Sequence, residues 1–138
     1  MTDSERREGG CLCGKVRFSV AWPPLMVATC QCRNCQKQAG SALSVIAMVG
    51  ADTLEVTGNL MTYEDHGESG NALFRRFCGN CGAPVLSDIP AMEASGVRII
   101  KVGALDDTSG IVPTLHYWTS SGQDWMVLPE TGTRMERQ

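Results

Sequence analysis

Phe77-Cys78-Gly79-Asn80-Cys81-Gly82 holds two thiols three positions apart, across a turn whose geometry glycine permits. This spacing is that of a zinc knuckle, in which a tight turn aims two thiolates at one point. Such a pair supplies half of a tetrahedral site, so two further thiolates must come from elsewhere. Cys11-Leu12-Cys13-Gly14 is the natural complement, again closed by a glycine. Each pair falls at the end of a predicted strand, and strand pairing is expected to bring those ends together.

Working outward, Cys30-Gln31-Cys32-Arg33-Asn34-Cys35 accounts for the remaining three of the seven cysteines. Three thiolates within six residues can converge on one ion if the chain turns at Cys32, and no fourth protein ligand is adjacent. Four protein ligands make a closed, structural site, whereas three leave a position for water or substrate. Other readings stand beside this one. Disulfides need an oxidising compartment. A redox Cys-x-x-Cys normally opens a helix in a βαβ setting, whereas Pro84 and strand-like sequence follow Cys81. An iron–sulfur cluster at Cys30, Cys32 and Cys35 stays open, because spacing does not name the metal.

The 138 residues suit one domain, with a core over about 9–128 and loose termini at 1–8 and 130–138. Hydrophobic residues make up 43%, enough for a core built mainly from aliphatic side chains. The net charge of −3 comes with no Lys/Arg cluster, which argues against nucleic acid as a partner. MTDSERREGG leads into no apolar segment, so a signal peptide is not expected. No apolar run approaches the roughly 20 residues of a membrane span. The expected compartment is a reducing cytoplasm, where cysteines persist as thiols.

The hydrophobic period is mostly two, which predicts a mainly β fold. Val16, Phe18 and Val20 alternate with Lys15, Arg17 and Ser19. Pro23 and Pro24 interrupt that strand before an extended run over 25–29. Residues 34–39 predict one helical turn, ended by Gly40. Residues 43–49 and 53–57 predict a strand pair joined by Gly50-Ala51-Asp52. Strands are also predicted over 60–64, 72–77, 97–102 and 115–118, with 65–71 as a hairpin loop.

The sequence resembles the glutathione-dependent formaldehyde-activating enzyme (GFA) family, also called the GFA/CENP-V type, from about Gly9 to Trp125. The resemblance rests on Gly10-Cys11-Leu12-Cys13-Gly14, on Cys30-Gln31-Cys32-Arg33-Asn34-Cys35 with Gly40-Ser41, and on Phe77-Cys78-Gly79-Asn80-Cys81-Gly82. Gly103-Ala104-Leu105-Asp106-Asp107 and Pro113-Thr114-Leu115-His116 add to it. It implies a small two-sheet β fold of the Mss-four-like type and two zinc ions per chain. Cys11, Cys13, Cys78 and Cys81 would hold a structural zinc. Cys30, Cys32 and Cys35 would hold a second, catalytic and more labile one. Gln31 stands where the family usually carries His.

The implied activity is that of a carbon–sulfur lyase acting on a thiol–aldehyde adduct such as S-hydroxymethylglutathione, with glutathione and formaldehyde as partners. Zinc on three thiolates carries a formal charge of −1 and is a weak activator of water, so a soft thiolate suits the fourth position. The alternatives are a non-catalytic zinc-stabilised binding module and a thiol or metal sensor.

Outside the cysteines, Arg33 and Lys37 flank the open group and could draw carboxylates, but they read first as a solvated turn face. Ser41 could equally donate a hydrogen bond in the pocket or serve as a turn residue, and Asp106-Asp107 reads first as a turn. His66 is expected in a polar loop, and His116 within a strand rather than as a ligand. Trp118 and Trp125 read first as packing residues, though either could wall a pocket.

Overall fold

A computed structural model describes residues 5–67 and 70–137. The chain is mainly β, with two sheets, as expected. Its strands are β1 (Arg6–Gly10), β2 (Arg17–Ala21), β3 (Met26–Cys30), β4 (Ser44–Gly50), β5 (Glu55–Thr57), β6 (Leu60–His66), β7 (Ala72–Cys78), β8 (Pro84–Asp88), β9 (Val97–Lys101), β10 (Leu115–Tyr117) and β11 (Thr133–Arg134). Helix α1 (Arg33–Ala39) follows β3, and α2 (Pro90–Ala94) follows β8. The smaller sheet has the order β1-β2-β5. The larger has the order β11-β10-β3-β4-β9-β8-β7-β6. Strand β10 runs parallel to β3 and β11, and the other pairings are antiparallel. No described helix is long and apolar enough to cross a membrane.

The core lies between the sheets. Val16, Phe18 and Val20 project from the small sheet, and Val27, Ala47, Val49, Leu86 and Ile100 from the large one. Each of these side chains other than Ala47 contributes about 1.5–3 kcal/mol when fully buried. The other face of the large sheet is chemically different. Directly opposed residues share a face, and so do residues two apart along a strand. Cys30 opposes Ser44, Ile46 opposes Lys101, Ile99 opposes Ser87, Ser87 opposes Arg75, and Arg75 opposes Tyr63. One face therefore makes the core, and the other carries a thiol, hydroxyls and two cations.

Four expectations need correction. Residues 43–49 and 53–57 do not pair. Both edges of β4 are taken by β3 and β9, and a single helical turn at Ala51–Thr53 carries β5 across to β2. The N-terminal residues 1–8 were expected to be loose, yet Arg6–Gly10 is a strand paired with β2. Its composition hides this, because Gly9 is chosen for closeness. A Cβ there would lie 2.3 Å from the Ala104 carbonyl oxygen and 2.7 Å from Phe18 Cζ. In the expected loose segment 130–138, Thr133–Arg134 pairs with β10, and Met135 N–H donates to the His116 carbonyl at 2.8 Å. The 65–71 loop is shorter than expected, because Asp65 and His66 belong to β6. Residues 1–4, Glu68, Ser69 and Gln138, on which parts of these expectations fall, lie outside the described residues.

Candidate metal centres

Cys11 follows β1 and Cys13 sits in the turn leading to β2. Cys78 ends β7 and Cys81 lies in the turn to β8. The two turns close alike. Gly14 N–H donates to the Cys11 carbonyl and Gly82 N–H to that of Cys78, with both glycines at positive φ, +83° and +78°. The strands carrying these turns do not pair, contrary to expectation. The knuckles meet because the sheets pack face to face, so the four thiols join one sheet to the other.

All four sulfurs lie within 4.8 Å of one another. Cys13 Sγ is 3.6 Å from Cys11 Sγ and 3.7 Å from Cys78 Sγ. A disulfide would need about 2.0 Å. A tetrahedron with zinc–sulfur bonds of about 2.3 Å has edges of about 3.8 Å, so the donor set fits that ion. Backbone N–H groups of Val16, Asn80 and Cys81 point at these sulfurs, at 3.2, 3.3 and 3.5 Å. Burial opposes ionisation of Cys11, but the Val16 N–H and the neighbouring thiols outweigh it and bring its pKa down to about 6.

The second group forms where β3 runs into α1. Cys30 ends the strand, Cys32 caps the helix by accepting from Cys35 N–H at 3.3 Å, and Cys35 follows one turn later. Gly40, at φ +69°, ends the helix as expected. The three sulfurs also lie within 4.8 Å of one another. Among the described residues no His, Asp, Glu or fourth Cys joins them as a candidate ligand. These thiols do not ionise alike. Hydrogen bonds from Cys30 and Cys32, helped by the charge of Arg75, draw Cys35 down to about 2. Sharing protons with Cys32 and Cys35 pushes Cys30 strongly up.

Two cations stand by this group. Arg75, buried on β7, has Nη1 and Nη2 at 4.0 and 3.9 Å from Cys35 Sγ. Its Nε donates to Asp65 Oδ2 at 2.9 Å, and Asn34 Nδ2 donates to the same carboxylate at 3.2 Å. Lys101, buried at the end of β9, donates through Nζ to Ser44 Oγ. None of Arg75, Asp65, Lys101 and Ser44 is prominent in the sequence. The available signal was a charge inside a strand-forming run, Arg75 within 72–77 and Lys101 within 97–102.

The remaining candidates take ordinary places. Arg33 is exposed and donates to Gln36 Oε1, and Lys37 is exposed. Ser41 Oγ donates to the Leu43 carbonyl, as a turn residue does. His116 is fully buried in β10 and shares a 2.8 Å hydrogen bond with Thr29 Oγ1. Thr29 alternates with Cys30, so this contact is on the opposite face from the thiols. His66 is exposed, with Glu64 at 3.4 Å. Asp106 pairs with Arg17. Trp118 is half-buried, with Arg137 over its ring, whereas Trp125 is 68% exposed and does not pack as expected.

A family model described as "Glutathione-dependent formaldehyde-activating enzyme" matches residues 6–121. Among solved structures, a Rhodobacter sphaeroides protein is similar at 22% sequence identity and a TM-score of 0.56. The match covers 77% of this chain and 91% of that one, and it speaks to the fold. No curated protein matches the sequence.

Proposed function

The chain belongs to the glutathione-dependent formaldehyde-activating enzyme family, and from this premise we propose that it is a zinc-dependent carbon–sulfur lyase acting on a thiol–aldehyde adduct such as S-hydroxymethylglutathione. The observation that carries the reading is the three-sulfur group, which lacks a fourth candidate ligand among the described residues while a four-sulfur group stands elsewhere in the same chain. Cys11, Cys13, Cys78 and Cys81 would hold a structural zinc, and Cys30, Cys32 and Cys35 a catalytic one. When bound, zinc at the second group supplies the charge that keeps a substrate sulfur ionised at neutral pH.

The chain's own residues do the rest. The end of β3 and the start of α1 hold the three sulfurs on rigid elements. Arg75, fixed by Asp65, offsets negative charge at Cys35. In the synthetic direction the thiol sulfur bonds to the aldehyde carbon. The carbonyl π electrons move to oxygen, which takes up a proton in place of the one the thiol lost. The lyase direction reverses each change, and no oxidant or reductant is required. Reduced thiols are a condition of this chemistry, which suits a cytoplasmic setting.

Exchange NMR of glutathione, formaldehyde and their adduct tests the proposal. The zinc-loaded protein should speed interconversion, and the Cys32→Ser variant should not. A folded, two-zinc protein that left the exchange rate unchanged would indicate a binding module instead. Reversible loss of one zinc under mild oxidant, without catalysis, would indicate a sensor.

A further inference from the structure

The four thiols of the closed group are not alike. Val16 N–H donates to Cys11 Sγ at 3.2 Å, and the Asn80 and Cys81 N–H groups donate to Cys78 Sγ at 3.3 and 3.5 Å. The Ala83 and Cys13 N–H groups bring the Cys81 pKa down. Cys13 differs. Among the described residues no N–H group donates to its Sγ, which has Cys11 Sγ and Cys78 Sγ beside it. It is also the exposed member of the group, with Cys11 and Cys78 buried and Cys81 half-buried.

These differences decide which sulfur can react. Zinc at this group keeps the thiols deprotonated, and four thiolates on a divalent ion leave a net negative charge on the sulfurs. An N–H donor ties up that charge, and an attack on carbon has to give the bond up. Burial keeps an electrophile away from the sulfur altogether. Cys13 has neither restraint.

The surroundings fit one kind of electrophile. Cys13 lines a cavity of about 770 Å³ together with Leu12, Pro84, Ala104 and Leu105. The cations on that wall are already matched, Arg17 by Asp106 at 3.1 Å and Lys101 by the thiolates of the other group. Such a wall admits an uncharged, largely apolar molecule. We propose that Cys13 is an alkyl-acceptor site, whose zinc-bound thiolate takes an alkyl group from a small, neutral alkylating electrophile. A lone pair on Sγ forms the new sulfur–carbon bond, and the bond from that carbon to its leaving group breaks. The leaving group departs as an anion with both electrons, and no proton, oxidant or reductant enters the balance. The sulfur becomes a neutral thioether, a poorer ligand, in the group that joins the two sheets. This inference uses the structural zinc of the function proposed above and none of its lyase chemistry.

The test treats the zinc-loaded full chain with less than one equivalent of iodoacetamide, a small neutral alkylating agent. Alkylation is read cysteine by cysteine by peptide mass spectrometry, against zinc content on the same sample. A hydrogen bond to a charged group predicts that Cys13 gains the label about tenfold to a hundredfold faster than Cys11, Cys78 or Cys81. Equal labelling of the four, or labelling led by Cys81, overturns the site while leaving the lyase reading intact, and needs no variant to fold. Absence of zinc from the four-cysteine group overturns the site together with the structural half of the proposed function.

Discussion

Arg75 brings Nη2 to 3.9 Å from Cys35 Sγ, and its Nε bond to Asp65 fixes the approach. A buried guanidinium with this aim compensates the sulfur charge that a three-thiolate site gathers. Outer partners of metal ligands typically account for ten- to a hundredfold in affinity. Arg75→Met should therefore weaken zinc at the second group by about that factor, read by competition with a chromophoric chelator. Arg75→Lys should recover part of the loss. Unchanged affinity in Arg75→Met would remove the positioning role.

The two cysteine groups should fail differently. Cys81→Ser breaks the contact between the sheets, so it should lower the thermal midpoint sharply and abolish one zinc. Cys32→Ser alters the end of one strand and a seven-residue helix, and should lose the other zinc with little change in midpoint. Zinc content and thermal unfolding on the same samples check both. Equal destabilisation would contradict the division between closed and open sites.

Asp88 is fully buried and accepts from Arg98 Nε at 3.0 Å, Arg98 Nη2 at 2.8 Å and Arg76 Nε at 2.5 Å. Burial alone would raise its pKa, but the two guanidinium groups hold it below the ordinary carboxylate value. A depressed folded pKa contributes stability above the unfolded value, near 4, and that stability is lost as pH falls through the folded one. Asp88→Asn should cost about 3 kcal/mol at pH 7. The gap to wild type should narrow in acid. Denaturant unfolding at pH 7 and pH 3.5 measures both, and taking the difference cancels the thiol titrations common to the two proteins. A gap that stayed constant would show that the pairing contributes nothing.

Gly9 and Gly14 should separate close approach from backbone conformation. Gly9→Ala places a methyl group against the Ala104 carbonyl and the Phe18 ring, and should cost about 3 kcal/mol by pushing β1 from the sheet. A methyl group at Gly14 meets open space, so only its positive φ is penalised, at about 1 kcal/mol. Chemical denaturation of the two variants gives the order, and a reversal would mean that β1 is dispensable.

The thiol grouping within each turn was legible in the chain because it is local. Cys78 and Cys81 share one turn, as do Cys11 and Cys13, while Cys30, Cys32 and Cys35 span one strand end and one helix start. Spacing of that kind limits where sulfurs can point whatever the remainder does. The alternation of Val16, Phe18 and Val20 was legible for the same reason, as was the helix ending at Gly40. Residues 6–10 were not, since RREGG has no apolar period and earns its place through the missing side chain of Gly9.

The sequence by itself therefore determined a β protein whose thiols divide into four and three. Tertiary structure decided which strands pair, that β5 crosses to the small sheet, and that Arg75, Asp65, Lys101 and Ser44 stand beside Cys30 and Cys35. Those residues lie up to 71 positions from Cys30. Their placement depends on the registers β3–β4, β4–β9, β9–β8, β8–β7 and β7–β6 taken in succession, and one residue of slip in any of them would turn a charge toward the core. Such registers are chosen by the packing of the whole sheet, which no local stretch of chain encodes.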